Sequence, residues 1–276
     1  RNIEKKTFGW TTTFTISRNA QMVENIGAEE YLAKINAPVS GIMMYGYKAG
    51  YPLNALWGLV DAGCFHNVAE VAANQDPSNP DYHKYICYGS TAEPGLQRVV
   101  DQNRDGSVGM DDVVYLGQAD PDFYGGLQNN FTIGNFKIGI FFNYSVGGAI
   151  YNYAELYMGG SYRSNQYRYM LDSWHPLRNP NSDTPRAGGS QVMLPSSRFV
   201  HDASYLRLKE VNLQYTFDFK RRKGNPIAKS LTVGLSGTNL FLWSSYNGFD
   251  PDVSSESDDS TLRRVDMNAY PSSRKV

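Results

Sequence analysis

Long apolar runs are missing from this sequence. No stretch of about 18 apolar residues occurs in the 276, and the mean hydropathy is −0.46. A helical membrane span is thereby excluded, but a β-barrel is not, because its strands alternate and average to modest hydropathy. Charge is scarce too, at 19% against the roughly 25% of soluble domains. Lys plus Arg is 26 and Asp plus Glu is 27, a net charge of −1, so the basic surplus of a nucleic-acid binder is lacking. Only two cysteines occur, Cys64 and Cys87. They do not make a zinc site; they either bridge in an oxidising compartment or remain two thiols. His66, His83, His175 and His201 have no close metal spacing, and no HExxH, P-loop or GxSxG motif is present. The opening Arg1-Asn2-Ile3 is neither an initiator Met nor a signal peptide. The expectation is a processed chain or a piece of a longer one.

What is abundant is aromatic and alternating. Aromatics reach 13%, and the 20 Tyr outnumber the 13 Phe, which suits surfaces half wet and half apolar. Helical periodicity is confined to Ala28-Glu29-Glu30-Tyr31-Leu32-Ala33-Lys34-Ile35, read as two or three turns ended by Pro38. Elsewhere the period is two. Phe8, Trp10, Phe14 and Ile16 alternate with threonines, and Leu127, Asn129, Phe131 and Ile133 share one parity. A Gly134-Asn135 hairpin signal follows. The returning strand places Phe136, Ile138, Ile140, Phe142 and Tyr144 on one face, and Leu231, Val233 and Leu235 repeat the pattern. Between Leu206 and Phe217 the phase slips near Lys209-Glu210, which fits a β-bulge or a strand end buried on both sides.

The connections are unequal. One is the two-residue turn at Gly134; another is a basic turn of roughly a dozen residues with Lys220, Arg221, Arg222 and Lys223. The others are long, running over 57–122, 146–205 and from 243 onwards. Alternating short and long connections between strands of about ten residues are the pattern of a transmembrane barrel. The fold class expected is therefore all-β, a partial transmembrane β-barrel of antiparallel strands. Phe136, Ile138, Ile140, Phe142, Leu231, Val233 and Leu235 would face lipid. The competing reading is one wall of a soluble β-sandwich, which alternates in the same way.

One stretch has metal-ligand spacing. Asp101, Asn103 and Asp105 occupy positions 1, 3 and 5 of a calcium-loop pattern. Gly106 takes the turn, Ser107 offers a carbonyl, and Asp112 stands at position 12. Alternate oxygens wrap a hard cation about 2.4 Å away, and glycine permits the sharp turn. Position 12 is Asp rather than a bidentate Glu, so a structural Ca²⁺ loop is expected rather than a sensor. The alternative is a metal-free loop held by Asx turns.

An ordered series of stretches resembles the C-terminal part of the SusC/RagA family of TonB-linked outer-membrane proteins. It runs from Gly50-Tyr51-Pro52-Leu53, Leu56-Trp57-Gly58 and Asp61-Ala62-Gly63-Cys64-Phe65 through the acidic loop at Asp101 to Leu116-Gly117-Gln118-Ala119-Asp120-Pro121. It continues through Trp174-His175-Pro176, Ser197-Arg198-Phe199-Val200, Ser204-Tyr205-Leu206-Arg207, Gly237-Thr238-Asn239-Leu240-Phe241 and Gly248-Phe249-Asp250-Pro251. The resemblance implies a barrel in the bacterial outer membrane that imports large nutrients, glycans or peptides, by the TonB system. It also implies a SusD-like surface lipoprotein as partner. Residues 1–276 would be the C-terminal part of that barrel, without plug, early strands or closing strand. Short turns would lie in the periplasm and long loops outside, and the metal loop would be ordered where the lipoprotein docks.

No enzyme is expected. A glycosidase carboxylate pair is not readable from spacing, and Glu256, Asp258 and Asp259 read as a solvated loop tip. Tyr162, Tyr167, Tyr169 and Trp174 fit girdle or loop packing, with sugar stacking as the alternative. The rival to transport is a soluble calcium-stapled β-domain that binds glycan or protein at the cell surface.

Overall fold

A computed structural model of the chain describes residues 2–36, 43–74, 92–104, 108–159, 165–187, 193–219, 229–252 and 264–276. Its main sheet has six antiparallel strands in the order β1 (Ile3–Glu4), β2 (Phe8–Ser17), β9 (Phe123–Ile133), β10 (Phe136–Val146), β13 (Tyr205–Asp218) and β14 (Ser230–Ser244). β9 and β10 form the hairpin that the sequence announces, with Ile133 opposite Phe136 and Gly134 at φ +57°. That φ is the left-handed region which glycine enters without penalty.

Register turns alternation into two faces. Trp10, Phe131, Ile138, Leu213 and Leu235 lie in one cross-strand row. Phe14, Leu127, Phe142, Leu208 and Phe241 lie in another. The opposite face carries Thr11, Asn130, Gly139, Asn212 and Ser236 in one row. The two apolar sets expected to share a face, Phe136–Phe142 on β10 and Leu231–Leu235 on β14, are joined through Leu213, Tyr215 and Phe217 of β13. On the polar face Phe141 and, opposite Arg207, Leu242 are apolar exceptions, and Phe141 is accommodated. A Cβ on Gly126 would stand 2.6 Å from its ring. On the apolar face Asn129 and the facing Thr12 are polar. Asn129 accepts from Trp10 Nε1 (3.1 Å) and Thr12 Oγ1 (2.7 Å), so its carbonyl is not left bare.

The phase slip is a bulge. Phe141 pairs with Glu210 and Phe142 with Leu208, so Lys209 is the extra residue. Without it every residue from Glu210 to Asp218 would turn to the other face.

The remaining elements gather at one end. β3 (Tyr31–Asn36), β4 (Met43–Lys48), β5 (Ala55–Gly58) and β8 (Val114–Gln118) form a four-stranded sheet, and β6 (Asp61–Cys64) pairs with β7 (Gln97–Val99). β11 (Ala149–Asn152) lies between β12 (Val200–Asp202) and β15 (Val265–Asp266), and two short helices, α1 (Val68–Asn74) and α2 (Tyr153–Gly159), complete the set. Tyr45, Leu56, Tyr151, Phe199 and Val265 are buried together, so three long connections share one core. The loops are thus a folded layer over the loop end of the sheet.

Two expectations are corrected. The segment 28–35 is not a helix: Tyr31, Leu32 and Ala33 pair with Lys48, Tyr47 and Gly46. Eight residues fall short of an independent helix, and ladder bonds to a neighbour override the weak propensity. Trp57 does not end a wall strand either. β5 belongs to the cap, so the first long connection runs from residue 18 to 122. The basic turn residues Lys220, Arg221, Arg222 and Lys223 lie outside the described residues; the turn is closed by Phe219 N donating to Lys229 O at 3.1 Å.

The two faces make a paired prediction. In the membrane-inserted full-length protein, Leu213→Lys should destabilise by about 2–4 kcal/mol and Asn212→Lys by less than about 1. Urea midpoints of the folded band on unheated gels check this; equal shifts would contradict the assignment of faces.

Candidate functional site

The acidic loop is partly described. Asp112 is fully buried in a single 3₁₀ turn. Its Oδ1 accepts from Gln102 N at 2.8 Å and its Oδ2 from Gly109 N at 2.7 Å. Asp101 is buried beside it and accepts from Arg104 N at 2.7 Å. Burial pushes the Asp112 carboxyl above its ordinary value, the backbone N–H groups work against this, and the charge of Asp101 adds to it. Asp112 thus lies beside Asp101, with the backbone of Gln102 and Asn103 turned towards its Oδ1. Asp105 and Ser107 lie outside the described residues. Among the described residues no group of three His, Cys, Asp or Glu side chains is assembled to hold a metal. The oxygen donors suit a hard cation, and the hydrogen bonds also suit the Asx-turn reading.

Cys64 is buried, and its thiol donates to Ser182 O at 2.8 Å. Burial, with the charge of Asp183 second, raises its pKa to about 12, so it is an inert thiol. Cys87, Tyr162, Glu256, Asp258 and Asp259 are outside the described residues. Trp174 is committed to loop packing, with Nε1 donating to Pro180 O (3.0 Å) and His66 O (3.2 Å).

Sequence reasoning missed a cavity of about 610 Å³ where the polar face of the sheet meets the cap. The sheet contributes Thr15, Ser17, Tyr124, Asn143 and Tyr205; the cap contributes Asp120, Asp252 and Arg264. These positions are up to 249 apart in sequence (264 − 15), so no local pattern marks the site. The only trace was that the sheet residues share the polar parity.

Two arginines fasten the cap to the sheet here. Arg207 of β13 donates through Nη2 to Asp250 at 2.5 Å, and both side chains are buried. Arg264 reaches across to β10, donating to Gly147 O (3.1 Å) and Ser145 Oγ (2.7 Å). Its approach needs glycine at 148, where a Cβ would meet Nη1 at 2.4 Å. Arg264 itself holds φ +55°, a conformation that costs a non-glycine residue about 1 kcal/mol or more.

The motif resemblance is borne out by comparison with known proteins. The chain is 30% identical to TonB-dependent receptor P26 of Formosa agariphila, over 92% of this chain and 24% of the receptor. It is 28% identical to TonB-dependent receptor P3 of the same organism, over 99% of this chain. It is 24% identical to TonB-dependent receptor SusC of Bacteroides thetaiotaomicron, over 92% of this chain and 26% of that one. Among solved structures, a chain of the RagAB peptide transporter superposes with a TM-score of 0.71 at 19% identity. The superposition covers 99% of this chain and 27% of the transporter chain. The chain thus spans about a quarter of the length of these relatives. No family model matches. The fold is that of a partial stretch of this transporter chain, and the described strands do not close a barrel.

The buried ion pair yields a prediction. Burial alone would raise the Asp250 carboxyl, but Arg207 and the N–H groups of Asp252 and Ser272 hold it below its ordinary value. A depressed folded pKa contributes stability that is complete above the unfolded value and is lost as pH falls through the folded one. Hydrogen exchange over 245–252 should therefore be unchanged from neutral pH to about 5, once corrected for intrinsic rates, and should accelerate only below the usual carboxylate range. Arg207→Ala leaves Asp250 buried and unpaired, which should cost about 3–5 kcal/mol of local stability. Unchanged protection in that variant would contradict the clamp.

Proposed function

We propose that this chain, homologous to TonB-dependent receptors over nearly all of its length, builds part of the lipid-facing wall and the outer cap of a nutrient transporter in the bacterial outer membrane. The observation that carries the reading is the continuous apolar face of the main sheet. Phe14, Ile16, Leu213, Phe217, Leu231, Val233, Leu235 and Phe241 are large, exposed and on that one side. A water-soluble protein rarely exposes so large an apolar patch, whereas lipid requires it. The opposite face, of Thr, Asn, Gln, Ser and Gly, suits a wet lumen. Among the described residues neither sheet edge carries a full further strand: beyond β14 only the bridge of Thr238 with Lys275 begins one, although none is expected there from the sequence, and open edges are not tolerated in lipid. The remaining strands of a full-length barrel would pair there, with residues 1–276 as its C-terminal part.

In this reading the short-turn end is periplasmic and the cap extracellular. The substrate is a large glycan or peptide that passes along the polar face, driven by the TonB system through segments beyond this stretch. A SusD-like surface lipoprotein sits on the cap, supported by the partnership that the name RagAB implies for that transporter. A Ca²⁺ ion at Asp101, Asn103, Asp105, Ser107 and Asp112 would neutralise crowded carboxylates and hold the loop under the partner. No step of bond-making is assigned to the chain. The soluble β-domain alternative requires a second sheet over Phe136, Ile138, Ile140 and Phe142, and among the described residues none covers them.

Protease added to intact cells should cut within 18–122, 147–204 or 245–264 and spare Arg221 and Lys223. A calcium chelator, or Asp105→Ala, should speed cutting near 92–112 and lower recovery of the co-purified lipoprotein. Cutting at Arg221 or Lys223 with all three loops spared would overturn the orientation. Equal cutting and equal partner yield with and without chelator would remove the metal.

A further inference from the structure

Most of the unusual polar groups in this chain already have partners. The Cys64 thiol is buried and donates to Ser182 O. His66 lies between the carboxylates of Glu70 (3.2 Å) and Asp183 (3.4 Å). The Asn247 amide donates to Glu155. Arg18 differs from these. It is exposed just beyond the end of β2 and forms no ion pair among the described residues.

Three observations bear on its surroundings. The first is register. Ile16 faces Gly125 and Ser17 faces Tyr124, so one further step sets Arg18 opposite Phe123, on the same apolar side as Ile16. Phe123 pairs in turn with Val146, and this row ends the apolar face at the cap. The second is a cleft of about 460 Å³ lined by Ile16, Ser17, Arg18, Asp122 and Phe123. Asp122 lies in the same cleft without pairing with Arg18. Its N–H donates to Val146 O (2.9 Å), and its carboxylate lies over Gly147, where a Cβ would collide with it. The third is the apolar surface beside the cleft. Gly125 leaves a gap there, and a Cβ on it would stand 2.8 Å from Tyr144 Oη. The Tyr144 ring stacks on Phe14 at 5.9 Å and meets Phe123 edge-on at 6.4 Å. Phe14 and Ile16 are 60% and 59% exposed. An exposed, largely aromatic strip therefore leads along the wall to an unpaired cation.

The chemistry of the occupant follows from that pairing of features. At the end of a barrel wall the hydrocarbon of the bilayer gives way to headgroups. The strip over Phe14, Ile16 and Phe123 suits an acyl chain, whose burial there removes apolar surface from water. The guanidinium of Arg18 calls for an anion, and its planar fork matches phosphate with two parallel hydrogen bonds. A neutral lipid would leave Arg18 to water alone. A soluble anion would leave the apolar strip uncovered, and a cationic amphiphile would be repelled. An amphiphile with a phosphate at one end satisfies both parts. The outer leaflet of a bacterial outer membrane supplies one, a phosphorylated glycolipid.

We propose that Arg18 and the cleft between Ile16 and Phe123 form a binding site for a phosphorylated lipid of the outer leaflet, with the phosphate on Arg18 and an acyl chain along Phe14, Ile16 and Phe123. The proposal rests on the orientation given above, in which the cap end of the wall is extracellular. Residues 18 and 122 are the two ends of the first long connection, and both line the cleft. A lipid held there fastens the base of that connection to the membrane surface.

The test uses the full-length receptor in neutral detergent micelles, titrated with lipid A or with its dephosphorylated form and read by native mass spectrometry. The wild type should bind the phosphorylated lipid about fivefold more tightly than the dephosphorylated one. Arg18→Gln, an exposed substitution, should abolish that preference, and Phe123→Ala should weaken both lipids. Lys137→Gln, on the polar face at the far end of β10, should change neither. A folded band on unheated gels confirms that each barrel is intact. Equal binding of the two lipids by the wild type, or an unchanged preference in folded Arg18→Gln, would overturn the site. An equal loss in Lys137→Gln would reduce the effect to net charge and overturn it as well. Displacement of the lipid by an equal concentration of inorganic phosphate would show an anion site without a lipid, which contradicts the proposal. Each of these results leaves the transporter reading standing if the same cells show TonB-dependent uptake. A wild-type receptor that stays soluble without detergent and binds neither lipid would overturn both.

Discussion

The register of five long antiparallel strands is the constraint on which the rest depends. In hydrocarbon no water is available to a backbone amide, so the ladder must satisfy every peptide group between the ends of the strands. Once pairing is fixed, the period of two leaves each side chain only one of two faces. The apolar rows through Leu213 and the polar rows through Asn212 follow directly. One residue, Lys209, reconciles this with a sequence whose parity changes partway along β13. A shift of one residue anywhere else would place Asn212 and Gln214 in lipid and Leu213 in the lumen. The cost per residue is that of burying polar groups without partners.

The cap depends on the same wall by two attachments. Arg207 projects from the polar face of β13 and pairs with Asp250, while Arg264 projects from the cap and bonds to the end of β10. Each arginine crosses between layers built from distant segments. The cap core, where Tyr45, Tyr151, Phe199 and Val265 meet, then needs no contribution from lipid. A folded layer of this kind explains how the described parts of such long connections hold together: their closure entropy is met by a shared core rather than by short connections. The cavity lies where the two layers fail to fill space, and its polar lining is inherited from the lumenal face.

Much of the wall was legible from sequence. The hairpin at Gly134, the apolar set on β10 and the bulge beside Lys209 all follow from alternation and turn chemistry, which are local. The segment 28–35 was misread because its helical pattern is also local, whereas its strand state comes from β4 through bonds that leave no mark in its own sequence. The same reason hid the cavity: Thr15, Asn143 and Arg264 converge only through sheet order and cap folding. In the acidic loop the spacing marks Asp101 and Asp112, which lie side by side, while Asp105 and Ser107 are outside the described residues. The backbone donors that occupy Asp112 are set by the 3₁₀ turn and could not be read from residue types.

The most direct measurement is depth-dependent quenching along one strand. Single cysteines at 211, 212, 213, 214 and 215 of the full-length receptor, in a background lacking Cys64 and Cys87, would carry a small fluorophore in bilayers with brominated acyl chains. The account predicts strong quenching at 211, 213 and 215 and little at 212 and 214, where a water-borne quencher should act instead. Quenching without alternation, or alternation in the opposite phase, would contradict the claim that this sheet is a barrel wall with its Leu213 face in lipid.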